Sequence, residues 1–416
     1  MTHSDDTPVI IGNEEVLEKL VSFCKERNQT RFYLVADQNT YLALGVKIEA
    51  TLLSQGWFVK TIMLEQKIIH PDEKMIFQIL DQANDETCVF LAVGGGTIHD
   101  LVRFVSNRTH RPFISLPTAA SVDGFSSNTC SLLIDGYKST FQAWGPQAIF
   151  VYLTTLCAAP TSMTAAGFGD MLGKFTSLAD WKLGQIIWDE PYDEEAARET
   201  RLALESCMEH IEEISLLEHT GIENLIKALI QSGFSMQKAG SSRPAGGSEH
   251  HLAHYWEIKR LRNHQDTALH GERVAVGTYL SAGYYAAIRR MSLTDAKKYF
   301  NKTKAIFFSP QDETIEAVFG GLAERVKTDQ QDFFMDEEVF ASLKKRVLDN
   351  WTDIQAVCAT VPSPPQIEAW LTKAGTPAQA SAIGITPEEV KQALMNAHLL
   401  RGRFTMLKLA HLFGMA

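Results

Sequence analysis

Several histidines of the chain lie close together, and their spacing is typical of a metal site. Five of the thirteen histidines fall between residues 250 and 270. His250 and His254 are four residues apart, which places both imidazoles on one face of a helix. Asp170 lies upstream in GFGDMLGK. A carboxylate with two imidazoles is a common ligand set for a divalent metal and leaves coordination positions for a substrate oxygen.

Spacing alone does not decide which histidines bind. The competing residues are His250, His251, His254, His264 and His270. Two histidines four residues apart can supply both ligands from one helical turn, as in helical HExxH sites. In the alternative, His250 binds the metal and His254 reaches the substrate. Any one of these histidines taken alone is more often a surface residue or a hydrogen-bonded core residue.

The segment GGGTIHD, residues 94–100, is a candidate anion-binding loop. It lies between a strand pattern and a short amphipathic helix pattern. Glycines have no Cβ, so backbone N–H groups can approach a pyrophosphate, and the N-terminus of the next helix adds partial positive charge. The segment is not the GxGxxG fingerprint. Taken alone, it is equally well explained as a tight strand-to-helix turn without a ligand.

A second polar loop, LPTAASVDGFSS at residues 116–127, leaves the next apolar strand pattern. It brings several hydroxyls and the carboxylate of Asp123 into one stretch of small residues. Loops at strand ends carry function more often than core segments do. Taken alone, however, the segment favours a polar turn with Asx and Ser caps.

The hydrophobic pattern predicts the scaffold that positions these segments. Up to about residue 155, strand and helix patterns alternate, which implies a parallel sheet that binds ligands beyond the carboxyl ends of its strands. After Pro160 long helical patterns follow. We expect an α/β fold, with a Rossmann-like dinucleotide-binding domain (1–158), a mostly α-helical metal- and substrate-binding domain (159–416), and the active site in the cleft between them. The predicted strands are 31–36, 57–64, 87–93, 113–116, 132–134 and 148–153, and the predicted helices are 13–27, 71–83, 165–184, 194–217, 221–235, 274–291 and 387 to the C-terminus.

Composition narrows the class of protein. The chain has 416 residues, of which 45% are hydrophobic and 21% charged, as in ordinary globular proteins. A formal net charge of -11 offers no broad surface for nucleic acid. The acidic N-terminus is unlike a secretory signal, no apolar run is long enough to span a bilayer, and the six cysteines form no CxxC pair. We therefore expect a cytoplasmic protein with buried thiols and no membrane insertion.

Together, these segments resemble the glycerol-1-phosphate dehydrogenase family, within the larger group of iron-type alcohol dehydrogenases, glycerol dehydrogenases and dehydroquinate synthases. The residues that carry the resemblance are, in the family order, GGGTIHD, LPTAASVDGFSS, GFGDMLGK, SEHHLAHYWE and LHGERVAVG. The C-terminal RGRFTMLKLA, residues 401–410, is similar to the final helix of that family. The form SEHHLAHYWE is most similar to bacterial members.

The resemblance implies roles for individual residues. It implies metal ligation by Asp170, His250 and His270, with catalytic and substrate contacts from Asp123, Asp170 and His254. His250 is preferred to its neighbour His251 because it keeps the four-residue step to His254. The residues that would contact the dinucleotide are Asp37, Gly95, Gly96, Thr97, Ile98, His99, Thr118, Ser121 and Ser127. Asp37 matches the acid at the adenosine ribose, where a carboxylate favours NAD over NADP by repelling a 2′-phosphate.

The reaction that the resemblance implies is a metal-dependent interconversion of sn-glycerol 1-phosphate and dihydroxyacetone phosphate with NAD(H) or NADP(H). The divalent metal would be zinc, nickel or iron. The chain would be a homodimer that serves phospholipid metabolism. Lys174, Arg243 and Arg262 are the candidate partners of the substrate phosphate. The alternatives are a glycerol or polyol dehydrogenase with an unphosphorylated substrate, and a cyclase similar to dehydroquinate synthase.

Overall fold

The computed structural model describes residues 7–66, 68–135, 137–263, 265–302 and 312–415. The chain divides into two compact units. The first unit comprises Met1–Met171 and Leu202–Ser241, and the second comprises Leu172–Arg201 and Ser242–Ala416. This division differs from the predicted boundary at residue 158, because the chain enters the second unit, returns to the first and leaves it again.

The described strands all belong to the first unit. They are β1 (Val9–Gly12), β2 (Arg31–Asp37), β3 (Phe58–Leu64), β4 (Val89–Gly94), β5 (Phe113–Pro117), β6 (Thr129–Ile134), β7 (Tyr137–Gln142) and β8 (Ala148–Tyr152). A parallel sheet has the strand order β1-β8-β5-β4-β2-β3. The remaining strands, β6 and β7, pair with each other as an antiparallel hairpin.

Helices make up most of the rest of the described chain. They are α1 (Glu15–Glu26), α2 (Gln38–Thr40), α3 (Val46–Ser54), α4 (Glu73–Gln82), α5 (Gly96–Arg108), α6 (Leu153–Cys157), α7 (Thr161–Leu172), α8 (Lys174–Trp188), α9 (Glu194–Glu209), α10 (Ile211–Ser215), α11 (His219–Ala239), α12 (Ser248–Arg262), α13 (His270–Arg290), α14 (Leu293–Phe300), α15 (Asp312–Phe319), α16 (Ala323–Asp329), α17 (Glu337–Asp349), α18 (Trp351–Ala359), α19 (Pro364–Lys373), α20 (Pro387–Asn396) and α21 (Met406–Leu412). Within the described residues, no helix is both long enough and apolar enough to cross a membrane.

The sheet is covered on both faces, as its apolar strands predict. In β2, Phe32 and Leu34 pack into one apolar cluster with residues of α1 and α3, whereas Tyr33 and Val35 pack into another with residues of α4 and α5. Successive side chains of a strand point to opposite faces, so a strand that is apolar at every position must be buried on both. The predicted fold class is confirmed: a parallel-sheet region is followed by a mostly helical one.

Close packing explains why two helical segments belong to the first unit. A Cβ on Gly167 of α7 would overlap the carbonyl oxygen of Ala120, and a Cβ on Gly233 of α11 would overlap the hydroxyl of Ser126. Both helices therefore lie directly against the loop 118–127. A helical periodicity in the sequence does not show which neighbour a helix packs on, so the predicted boundary missed this arrangement.

The second unit is helical throughout its described residues. Helices α12 and α13 are joined by an ion pair of 3.1 Å between Arg273 Nη2 and Glu257 Oε1. A Cβ on Gly277 of α13 would lie 2.5 Å from the carbonyl oxygen of Glu249, so the first turn of α12 touches α13 closely. A capping box opens α20, in which the backbone N–H of Thr386 donates to Glu389 Oε2 at 2.7 Å.

Other predicted elements differ in detail. The predicted strand 132–134 forms, but it belongs to the separate hairpin. The predicted helix 165–184 is two helices, α7 and α8, that meet at Gly173, and the predicted helix 194–217 is likewise α9 and α10. Strand β1 was not predicted, because four residues are too few to show a periodicity.

Candidate active site

The carboxyl ends of three neighbouring strands lie at one edge of the sheet. Gly94 at the end of β4 is level with Pro117 at the end of β5, and β2 pairs with β4 on its other side. The backbone N–H of Thr118 donates to the carbonyl oxygen of Gly94 at 3.2 Å. Since each strand is followed by one of the sequence-predicted polar segments, Asp37, the glycine loop and the loop 118–127 all begin at this edge.

The glycine loop forms a turn that opens α5. Gly95 has extended backbone angles and precedes the first helical residue, Gly96. A Cβ on Gly94 would lie 2.6 Å from Ile98, and one on Gly96 would lie 2.9 Å from Val122, so both glycines are required by packing. A Cβ on Gly95 would come no closer than 3.6 Å to Met163.

This turn fits the predicted dinucleotide site. The first N–H groups of any α-helix have no acceptor inside the helix, and in α5 these belong to Gly96, Thr97 and Ile98. The N-terminus of α5, a helix of 13 residues, adds a partial positive charge beside these N–H groups. The donor set therefore suits a pyrophosphate, and the assignment of these residues stays a prediction.

His99 holds the turn from inside the protein. Its Nδ1 lies 2.9 Å from the carbonyl oxygen of Gly95, and its Nε2 lies 2.8 Å from the Ser115 hydroxyl. Burial lowers the pKa of His99 to about 3, so the imidazole is neutral at ordinary pH. The predicted cofactor contact of this residue remains a prediction, while its ring supports the loop.

Asp37 combines a capping role with its predicted role. Its Oδ1 accepts hydrogen bonds from the backbone N–H groups of Asn39 and Thr40, at 2.8 and 2.9 Å. The carboxylate thereby caps α2 at the carboxyl end of β2, beside β4. Its contact with the adenosine ribose stays a prediction.

The other predicted cofactor residues lie in the loop 118–127. Thr118, Ser121 and Ser127 are all buried. The hydroxyl of Ser127 is 3.0 Å from the hydroxyl of Thr129, which closes the end of the loop. Their contacts with a nicotinamide stay predictions.

Asp123 and Asp170 are brought together in the first unit. The backbone N–H of Asp123 donates to Asp170 Oδ2 at 3.1 Å, and the hydroxyl of Ser232 donates to Asp123 Oδ2 at 2.9 Å. The glycines of α7 and α11 create this arrangement, because they let the two helices approach the loop that carries Asp123. The sequence analysis missed Ser232, which lies inside an ordinary amphipathic helix pattern.

Three of the predicted residues form a candidate metal centre. One carboxylate oxygen of Asp170 and one ring nitrogen each of His250 and His270 all lie within 4.8 Å of one another. Asp170 is fully buried, whereas the two histidines are half-buried. The ring of His254 lies near them, with its centroid 5.8 Å from that of His250 and 5.6 Å from that of His270.

The remaining candidates lie apart from this group. His251 is buried, and neither of its ring nitrogens has a hydrogen-bond partner among the described residues. His264 lies outside the described residues. The geometry thus favours His250 over His251, as the four-residue step to His254 predicted.

The donor set fits a divalent cation. Two ligand atoms that are each about 2.1 Å from a metal are at most about 4.2 Å apart, so small side-chain rotations would complete the site. A carboxylate with two imidazoles suits zinc, nickel or iron. Since three protein ligands do not fill the coordination sphere of these metals, a substrate oxygen can also be accommodated.

Glu249 is a buried acid beside this group that the sequence analysis did not select. Its Oε1 lies 2.9 Å from His250 Nδ1 and accepts from the backbone N–H of Gly247 at 2.6 Å, and its Oε2 accepts from Thr176 Oγ1 at 2.5 Å. Burial acts to raise the pKa of the Glu249 carboxyl, but the hydrogen bonds, that from His250 foremost, hold this pKa below its ordinary value. Its place inside SEHHLAHYWE was the available signal.

The three candidate phosphate partners all have contacts within the second unit. Lys174 is fully buried and its Nζ donates to the carbonyl oxygen of Ala245 at 3.2 Å. Arg243 forms an ion pair with Glu190. Arg262 Nη1 donates to the carbonyl oxygen of Val318 at 3.2 Å. These contacts do not select one of the three, and the phosphate assignment stays a prediction.

Comparison with known proteins agrees with the fold. A family model described as iron-containing alcohol dehydrogenase matches residues 11–160. The NADH-dependent butanol dehydrogenase A of Thermotoga maritima has a similar fold, with a TM-score of 0.58 at 14% sequence identity, covering 97% of this chain and 91% of that chain. Residues 11–160 therefore resemble the iron-containing alcohol dehydrogenase group.

The relationship to curated proteins is more specific. The chain is 36% identical over 409 residues to the glycerol-1-phosphate dehydrogenase [NAD(P)+] of Geobacillus stearothermophilus, covering 97% of this chain and 92% of that protein. It is 34% identical over 403 residues to the enzyme of the same name from Bacillus subtilis, covering 96% and 90%. The chain belongs to the glycerol-1-phosphate dehydrogenase family.

Proposed function

We propose that this protein interconverts sn-glycerol 1-phosphate and dihydroxyacetone phosphate, with NAD(H) or NADP(H) as the redox partner. The observation that carries the proposal is the convergence of Asp170, His250 and His270 in a chain whose curated relatives bear this activity in their names. The glycine turn before α5 supports it, because its donor groups suit the pyrophosphate of a dinucleotide.

The residues divide the binding tasks. Asp170, His250 and His270 would hold the metal, and the turn from Gly95 to α5 would hold the dinucleotide. When bound, the metal supplies a Lewis acid for the substrate oxygen and the nicotinamide supplies the hydride acceptor. The residues of the protein must then orient the carbon backbone of the glycerol and accept or return the hydroxyl proton.

Asp123 and His254 are suited to these tasks. The Asp123 carboxylate is held by the Ser232 hydroxyl, so it presents a fixed acceptor for a glycerol hydroxyl. The imidazole of His254 lies one helical turn from His250 and can accept or return the hydroxyl proton. Placing both groups on helices and a braced loop keeps their positions constant during turnover.

Finer features follow from the family and are part of the proposal. We expect zinc, nickel or iron at the metal centre. We also expect the carboxylate of Asp37 to make the protein prefer NAD to NADP. We also expect a homodimer that acts in the cytoplasm and serves phospholipid metabolism. One of Lys174, Arg243 and Arg262 would contact the substrate phosphate.

The direct test is the oxidation of NADH, followed by absorbance, by metal-loaded protein with dihydroxyacetone phosphate. Chiral analysis of the product should give sn-glycerol 1-phosphate. Unphosphorylated dihydroxyacetone is the matched control, and it should be turned over far more slowly. Equal turnover of both ketones would instead identify a polyol dehydrogenase, and absence of net NADH consumption would favour a cyclase.

A further inference from the structure

We propose that Glu249 is a positioning residue that selects the metal-binding nitrogen of His250. This inference rests on the proposed metal site, and it adds a residue that does not itself touch the metal. The observation behind it is the contact of 2.9 Å between Glu249 Oε1 and His250 Nδ1.

The contact fixes the tautomer of the imidazole. Glu249 Oε1 accepts from the N–H of Gly247 and Oε2 accepts from Thr176 Oγ1, so both oxygens act as acceptors and we take Nδ1 of His250 as the donor. The lone pair of the neutral ring is then on Nε2. A carboxylate behind a ligating histidine also fixes the ring plane and makes the imidazole a stronger ligand.

The surroundings of Glu249 show that its carboxylate is held in place for this contact. The side chain is fully buried, and it accepts hydrogen bonds from Thr176 Oγ1 and from the N–H of Gly247. A Cβ on Gly277 of α13 would lie 2.5 Å from the carbonyl oxygen of Glu249, so the backbone cannot shift outward. The acceptor therefore has one position, and the ring of His250 has one orientation.

A second buried acid provides a comparison. Asp180 accepts from the N–H and hydroxyl of Ser248 and from the hydroxyl of Tyr285, at 2.5 to 2.7 Å. The hydrogen bonds described here for the Asp180 carboxylate all come from groups other than the candidate metal ligands. Replacing Asp180 thus disturbs the same part of the fold without removing the contact to His250.

The test is the affinity of the full-length protein for Co²⁺, measured by titration of metal-free protein with visible absorption as the readout. We expect Glu249→Gln to weaken Co²⁺ binding by about 10- to 100-fold and Glu249→Ala to weaken it further. Glu249→Gln keeps an acceptor oxygen and the side-chain shape, so it remains informative if Glu249→Ala does not fold. The cobalt absorption bands should also change, since the orientation of one ligand is released.

Two variants separate positioning from stability. Thr176→Val removes the hydrogen bond to Glu249 Oε2, and Asp180→Asn changes the neighbouring acid. Asp180→Asn should lower the melting temperature and leave Co²⁺ affinity near the wild-type value, whereas Thr176→Val should weaken Co²⁺ binding less than Glu249→Gln does. Wild-type Co²⁺ affinity in both Glu249 variants, or an equal loss of affinity in Asp180→Asn, overturns the inference.

These measurements distinguish failure of the positioning role of Glu249 from failure of the proposed reaction. If Glu249→Gln loses Co²⁺ affinity while wild-type protein does not reduce dihydroxyacetone phosphate, the positioning role stands and the substrate assignment fails. If wild-type protein takes up no Co²⁺, the metal site and the positioning role fail together.

Discussion

At the scale of single residues, the chain places several acids in surroundings that give each a different task. Asp170 offers an oxygen to the candidate metal centre, Asp123 is held by a serine hydroxyl, and Glu249 holds a histidine. Residue type alone does not distinguish these tasks. The hydrogen-bond partner of each carboxylate does, and for Asp123 and Asp170 those partners lie far away in the sequence.

Asp37 carries a prediction about cofactor choice. A carboxylate at the end of β2 repels the 2′-phosphate of NADP. Asp37→Ser removes the charge, while serine can still cap α2. We expect the ratio of kcat/KM with NADH to kcat/KM with NADPH to fall by about tenfold, equivalent to roughly 1.4 kcal/mol. An unchanged ratio would show that Asp37 does not face the ribose.

His99 carries a prediction about pH. Its pKa is lowered by burial from 6.5 to about 3, so below pH 6.5 the unfolded chain binds a proton that the folded protein does not. Stability from this residue is therefore present above pH 6.5 and is lost as the pH falls. Between pH 7 and pH 5 the free energy of unfolding should drop by about 2 kcal/mol relative to His99→Gln.

The measurement is urea unfolding of both proteins at the two pH values. The His99→Gln variant is the reference for the wild-type protein, because all other titrating groups are common to the two proteins. A constant difference in unfolding free energy across this pH range would mean that folding does not lower the pKa of His99.

At the scale of elements, small residues decide how near the helices come to the functional loop. Gly167 of α7 and Gly233 of α11 both lie against the loop 118–127, and their lack of a Cβ brings Asp123 to Asp170 and Ser232. Similarly, Gly277 of α13 lies against Glu249. Glycine in a helix interior costs stability, and here it permits a close approach that the site requires.

Gly233→Ala tests this view of the helices. Its added methyl group would overlap the Ser126 hydroxyl and lie 2.8 Å from the carbonyl oxygen of Asp123. We expect a loss of about 1–3 kcal/mol in unfolding free energy, as for other overpacked sites, together with a lower kcat. Thermal unfolding and the NADH assay are the measurements.

A helical glycine in open space provides the control. No heavy atom lies within 4 Å of a Cβ on Gly283 of α13. Gly283→Ala should therefore keep full activity and gain up to about 1 kcal/mol from helix propensity. If Gly233→Ala behaves like Gly283→Ala, the loop is not held by α11.

At the scale of the whole molecule, the sequence predicted what depends on local pattern. The apolar strands and the glycine turn were predictable because period and turn chemistry are local. The return of 202–241 to the first unit, and the contacts of Asp123 with Ser232 and of Glu249 with Thr176, were not, because they depend on packing between distant segments. His250 was separated from His251 by the four-residue step, and the geometry favours the same choice.

The most direct test of the account is the metal content of the purified protein, measured by mass spectrometry after incubation with a divalent metal and desalting. The account predicts about one tightly held ion per wild-type chain and a near-complete loss in His270→Ala and Asp170→Asn, with the fold retained by circular dichroism. His251→Asn should keep the ion. Retention of the full metal content by His270→Ala, or its loss from His251→Asn alone, would contradict the central claim.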